Sequence, residues 1–265
     1  MALRALKTLK AGVWMAVLAA VAVVLIAPMI YLYESQKLPA LESEFDLERA
    51  LRNSIESERR SQQMGKYDPK KDPIEWKRPD FARLPKNLVA AYISERGCPT
   101  YFQTPREDGW AWAKRLMLGL VNIEPPGDGW CEQVFASNLA TRIGAKGTMQ
   151  TVVATHKIHR FLKKDALVAY DLHSLKLEVG VVGVEAAADT LFHKPLLELS
   201  LAELAELALA IPPNSAFEQI KQCKNSVQIR QARDGVLDRL KAFSLIPDNE
   251  SRLAKDQELA CKRPN

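Results

Sequence analysis

The sequence lacks the motifs that most directly reveal an enzyme's chemistry. Glycine-rich phosphate loops, nucleophile elbows and sustained polar–apolar alternation are absent from its 265 positions, and those absences argue for an all-α domain. Cysteine is scarce. Cys98, Cys131, Cys223 and Cys261 include no C-x-x-C pair, so the usual zinc and redox spacings are missing. Charge of one sign is scarce too: 37 Lys and Arg against 32 Asp and Glu leave +5, too thin an excess for a nucleic-acid binder. Internal repeats and low-complexity tracts do not occur, and a 47% hydrophobic content excludes a disordered, collagenous or small disulfide-scaffold chain.

What is present begins with a long apolar run. Every position from Ala11 to Tyr33 is uncharged, with Arg4, Lys7 and Lys10 before it and Glu34 after it. A membrane-spanning helix needs about 20 apolar residues, and Trp14, Tyr31 and Tyr33 mark the two ends as an interfacial belt would. The basic flank places residues 1–10 in the cytoplasm and everything after Glu34 across the membrane. A cleaved signal peptide has a shorter apolar region, about 7–15 residues, so an uncleaved single-pass anchor over 11–33 is expected. Pro28 would kink only the outer end of that helix.

All four cysteines then fall in an exported part, where disulfides are permitted. Of the three possible pairings, Cys98 with Cys131 and Cys223 with Cys261 is favoured, since each pair stays within its own half of the domain. His156 and His159 share a helical face, but no third metal ligand is evident nearby, and a solvated or capping role is expected of them.

Residues 34–80 are polar and charge-dense, with Leu47, Leu51 and Ile55 at four-residue spacing, and read as a stalk or an amphipathic elbow near the membrane. Within it, the Pro-interrupted stretch from Tyr67 runs on to Pro85 as a linker or covering strand. A helical domain is expected over 81–250 and a tail over 251–265. The best-specified helix start is Leu199-Ser200-Leu201-Ala202-Glu203-Leu204: Ser200 caps, Glu203 reaches back to it, and Leu199 with Leu204 forms a hydrophobic staple. Pro212-Pro213 should end that helix. A second core helix is expected over Gly183 to Leu191.

These residues resemble a known family, the peptidoglycan glycosyltransferases of glycosyltransferase family 51, over about Leu84 to Ile246. Gly183-Val184-Glu185-Ala186-Ala187-Ala188, Leu191-Phe192-His193-Lys194 and Leu199 through Pro212 are similar to the family's G-V-x-A-A, Y-F-G-K and L-S-x-x-E-A-A-x-L-A stretch. Arg233 shortly before Val236-Leu237 resembles its last motif, and Lys163 to Tyr170 its K-x-x-I-L-x-x-Y segment, although Leu172 stands where an Asn normally follows. The resemblance implies a lysozyme-like transglycosylase domain behind one N-terminal transmembrane helix. It also implies a location in the inner membrane with the domain on the periplasmic side, and lipid-linked peptidoglycan precursor as ligand.

The first half departs from the family pattern. Glu95, after Ala90-Ala91-Tyr92-Ile93-Ser94, takes the place of the catalytic glutamate in E-D-x-x-F-x-x-H-x-G, but Arg96, Pro99, Phe102 and Thr104 replace the Asp, Phe, His and Gly. Gly129 to Asn138 stands where G-x-S-T-x-T-Q-Q would be. In R-K-x-x-E, Lys157 is kept while His156 and Arg160 replace the Arg and the second glutamate.

In the family's reaction a general base takes a sugar hydroxyl proton and a lipid diphosphate departs, which calls for cations or a divalent metal. Glu95 is the candidate base, with Arg96 as the counter-ion that would make it a plain surface carboxylate. Lys157, Arg160, Lys163, Lys164 and Arg233 are the candidate diphosphate partners. No organic cofactor and no metal-ligand cluster is indicated. A Cys98–Cys131 bond would lock the altered cleft, which suits binding better than turnover. Trp110, Trp112 and Trp130 would stack on sugars, meet a partner protein or pack internally.

Two functions follow. One is a non-catalytic relative that binds the precursor or scaffolds another cell-wall synthesis protein. The other is a divergent but active glycosyltransferase using Glu95. Glycan cleavage would need a general acid that the sequence does not display.

Overall fold

The structure is a computed structural model that describes residues 26, 28–62, 76–106, 130–178, 181–211 and 216–262. The run Ala11–Tyr33 lies mostly outside them. Residues 28–36 are helical, and no helix among the described residues is long and apolar enough to cross a membrane.

The described body is helical: α1 (Glu44–Gln62), α2 (Lys86–Glu95), α3 (Trp130–Arg142), α4 (Gly147–Phe161), α5 (Lys164–His173), α6 (Gly183–Phe192), α7 (Leu201–Ala210), α8 (Phe217–Lys221), α9 (Ser226–Ala242) and α10 (Asp248–Asp256). One small antiparallel ladder, β1 (Lys176–Glu178) with β2 (Val181–Val182), links α5 to α6.

At the centre lies α7, against α2, α6, α8, α9 and α10. Its Leu and Ala side chains cover nearly every face, as a helix enclosed on all sides requires. Ser200 Oγ accepts the Glu203 N–H at 3.3 Å, and Glu203 Oε2 accepts the Ser200 N–H at 2.8 Å, the reciprocal cap that its sequence specifies. The helix ends at Ala210, two residues before Pro212.

Two segments expected to stand apart are packed onto this body. In the region assigned to a stalk, Leu41, Leu47, Ala50, Leu51 and Ile55 are buried, so α1 lays its apolar stripe on the domain instead of projecting from it. The Tyr170 hydroxyl reinforces that seat, its single O–H shared between Glu44 Oε1 at 2.9 Å and Glu48 Oε1 at 2.5 Å. In the region assigned to a tail, Ser251, Ala254 and Leu259 are buried.

Two turns explain local sequence choices. Gly183 has φ +83, and a β-carbon there would lie 2.5 Å from the His173 carbonyl oxygen. Only glycine fits the entry to α6. At the other end of α6, His193 is left-handed with φ 54, at the position where the resembled Y-F-G-K motif has its glycine. A side chain there is strained, which accounts for glycine in the motif.

Candidate functional site

Glu95 is the last residue of α2, and its counter-ion is Arg239 from α9 rather than Arg96. Arg239 Nε donates to Glu95 Oε1 at 2.8 Å, and Nη2 donates to the same oxygen. Arg96 instead lays its guanidinium over the Tyr92 ring, 5.0 Å from the centroid. Two residues on, Cys98 is bonded to Cys131, with Cα atoms 6.2 Å apart, so the chain beyond Glu95 is tied to the start of α3. Trp130 stands beside this junction, partly exposed, with its ring edge near Gly97. Trp110 and Trp112 lie outside the described residues.

Beyond the disulfide, α3 carries Glu132 into the interior, 1% exposed. His159 Nε2 lies 2.7 Å from its Oε2 and Lys164 Nζ 3.2 Å from its Oε1, with Arg106 at 3.9 Å. Burial opposes the charge on Glu132. The hydrogen bonds and charges of His159 and Lys164 outweigh it and hold the carboxyl below the ordinary glutamate value. His159 is therefore a buried hydrogen-bond partner of Glu132, not the solvated or capping residue expected.

The five candidate diphosphate cations are not gathered into one cluster. Lys164 is turned inward: besides Glu132, its ammonium donates to the Tyr101 carbonyl and the Thr104 carbonyl, each at 2.7 Å. Arg233 is fully buried. It donates to Gln257 O at 2.8 Å and Lys255 O at 2.9 Å, pairs with Asp234 at 2.9 Å and lies 3.5 Å from Glu206. Arg160 and Lys163 are exposed on α4 and at the start of α5.

Lys157 is 13% exposed and lies 3.3 Å from Glu42, a residue of the segment that leads from the apolar run into α1. The same segment meets the neighbouring position as well, with the Tyr31 hydroxyl 3.0 Å from His156 Nδ1. Residues 31–42 thus lie over the part of α4 where the R-K-x-x-E motif would sit.

A further buried carboxylate, Asp171 of α5, went unrecognised in the sequence. It receives hydrogen bonds from the Tyr92 hydroxyl and from Asn138 at 3.1 Å, and pairs with Arg142 at 2.6 Å, which joins α2, α3 and α5. The sequence signal for Asp171 and Glu132 was a lone acid within an apolar helix face. Among the described residues, no three His, Cys, Asp or Glu converge as metal ligands.

A family model described as Transglycosylase matches residues 132–241. The chain is similar to a biosynthetic peptidoglycan transglycosylase of Ralstonia nicotianae, 32% identical over 55% of this chain and 63% of the relative. It is similar to a second protein of that name from Cupriavidus metallidurans, 29% identical over 37% of this chain and 42% of the relative. Penicillin-binding protein 1A of Rickettsia conorii is 22% identical over 68% of this chain and 23% of that protein. The chain thus spans about half the length of the two transglycosylases it matches. The family match covers α3 from Glu132 through most of α9, including the well-capped α7 but not Glu95 and the altered positions that follow it, and supports a transglycosylase-like domain of the glycosyltransferase family 51 type.

Proposed function

We propose that this chain is a single-pass envelope protein, anchored through residues 11–33 with residues 1–10 cytoplasmic. Its exported domain binds lipid-linked peptidoglycan precursor or another cell-wall synthesis protein without polymerising glycan. One observation carries the reading: the groups at the motif positions are engaged within the chain itself. Arg239 takes an oxygen of Glu95, Glu42 takes Lys157, Tyr31 takes His156, and Arg233 is sealed inside. A general base must face the proton it removes, and diphosphate ligands must face the diphosphate. The Cys98–Cys131 bond adds rigidity at the junction where the motifs are altered, which favours binding over repeated opening and closing.

The deciding experiment incubates the full-length protein with lipid-linked disaccharide precursor, beside a Glu95→Gln variant. No polymer from either protein is expected. Polymer from the wild type and none from the variant would establish an active glycosyltransferase with Glu95 as base, and would end the proposal. A titration with the same precursor then separates the two binding modes: saturable binding identifies the precursor as ligand, and its absence leaves a protein scaffold.

A further inference from the structure

The two disulfides sit in different surroundings. Cys98 and Cys131 are wholly enclosed, whereas Cys223 and Cys261 are both partly exposed. Cys223 has φ 53, in the left-handed region that non-glycine residues occupy at a cost, and Asn225 shares it. Cys261 lines an open depression of about 650 Å³ together with His193, Lys194 and Lys221. Glu203 shares that lining, and Lys194 and Lys221 are paired with Glu203 and Glu178 at 2.8 Å each, so what the depression offers a reductant is open access to the Cys261 sulfur.

What this bond holds is a strap. Residues 248–262 run from α10 to the final 3₁₀ turn and lie beyond the family match, which stops at 241. The strap supplies the Lys255 and Gln257 carbonyls to Arg233, and its Ala260 N–H donates to Glu206 at 3.2 Å. Gln257 also accepts from Ser200 Oγ at 3.0 Å, at the cap of α7. Buried charges without their partners are costly, so the strap and the charged pair beneath it depend on each other.

We propose that Cys223–Cys261 is an exchangeable latch, opened by a dithiol reductant entering at Cys261, that fastens residues 248–262 over Arg233 and Glu206, while Cys98–Cys131 is a permanent cross-link. The reductant's thiolate attacks Sγ of Cys261, the S–S bond breaks, and Cys223 leaves as a thiolate that takes up a proton. The reductant's second thiol then attacks the mixed disulfide, releasing Cys261 as a thiol and the reductant as its own cyclic disulfide. Two electrons pass from dithiol to protein, and the reverse exchange recloses the latch.

The test treats the full-length native protein with increasing dithiothreitol, alkylates free thiols, and maps them by mass spectrometry alongside hydrogen exchange. Cys223 and Cys261 should be alkylated at a dithiothreitol concentration at least tenfold below that needed for Cys98 and Cys131. Exchange over 248–262 should rise about tenfold or more at that same step while α3 and α4 stay protected. Simultaneous alkylation of all four cysteines, or an unchanged strap after Cys223 and Cys261 are reduced, would overturn the proposal. A Cys223→Ser, Cys261→Ser variant should show the fast strap exchange without reductant. The wild-type titration reads the latch even where that variant fails to fold, and neither measurement depends on glycosyltransferase activity.

Discussion

Arg239 on α9 closes two N–H groups onto a single oxygen of Glu95, a residue 144 positions earlier in the chain. The pair joins the end of α2 to the end of α9 at the surface, with Arg239 46% and Glu95 20% exposed. An ion pair in that setting contributes about 0.2–1 kcal/mol. Arg239→Ala should therefore lower the thermal midpoint by no more than a few degrees while releasing Glu95. On the binding reading, the released carboxylate still makes no polymer from lipid-linked precursor. Polymer from Arg239→Ala would show instead that the arginine restrains a working base.

The buried Glu132 predicts a larger effect. Replacing it by Gln leaves the largely buried Lys164 ammonium without its anion, a class of change that costs about 3–5 kcal/mol. Denaturant unfolding of Glu132→Gln should show a loss of that size.

Acid stability follows from the same residue. Its folded pKa is depressed, so its contribution is present above the ordinary glutamate value of 4.5 and fades as pH falls through the lower folded value. Glu203 behaves alike: burial opposes its charge, but Lys194 and Ser200 prevail. The thermal midpoint should drop below about pH 4.5, and the drop should be shallower in Glu132→Gln. An equal slope in the two proteins would mean that other carboxylates dominate.

At the end of α6, His193→Gly removes a left-handed non-glycine residue from a helix terminus. The gain in stability should be about 1 kcal/mol, read as a raised denaturant midpoint at unchanged slope. The converse change at Gly183, to Ala, meets the His173 carbonyl and should cost several-fold more.

The cover over α4 can be read chemically. In a Tyr31→Phe, Glu42→Gln double variant, Lys157 should react with an amine-acylating reagent several-fold faster than in the wild type, while Lys163, already exposed, should not change.

Some of this structure was legible in the sequence because it is local. Ser200 and Glu203 lie three residues apart, so the cap of α7 can be read from a short window. Glycine before Val184 likewise marked the start of α6. The charge partners were not legible, because a carboxylate in a sequence does not reveal its counter-ion. Arg96 adjoins Glu95 yet turns to Tyr92, and the partner comes from a helix far along the chain. Burial of Arg233 was hidden for the same reason: the carbonyls that satisfy it carry no side-chain signature. The docking of α1 was half legible, since its leucine stripe was visible but the surface receiving it was not.

The seating of Arg233 has a practical consequence for dissecting this protein. Its guanidinium is completed by main-chain carbonyls at 255 and 257, and the core also includes Leu41, Leu47 and Leu51. A fragment cut to the family-matched span 132–241 would strip α1 and α2 from one side and leave an ungated cation on the other. The smallest excisable unit that keeps these contacts runs from about residue 41 to residue 262, roughly twice the length of the family-matched span.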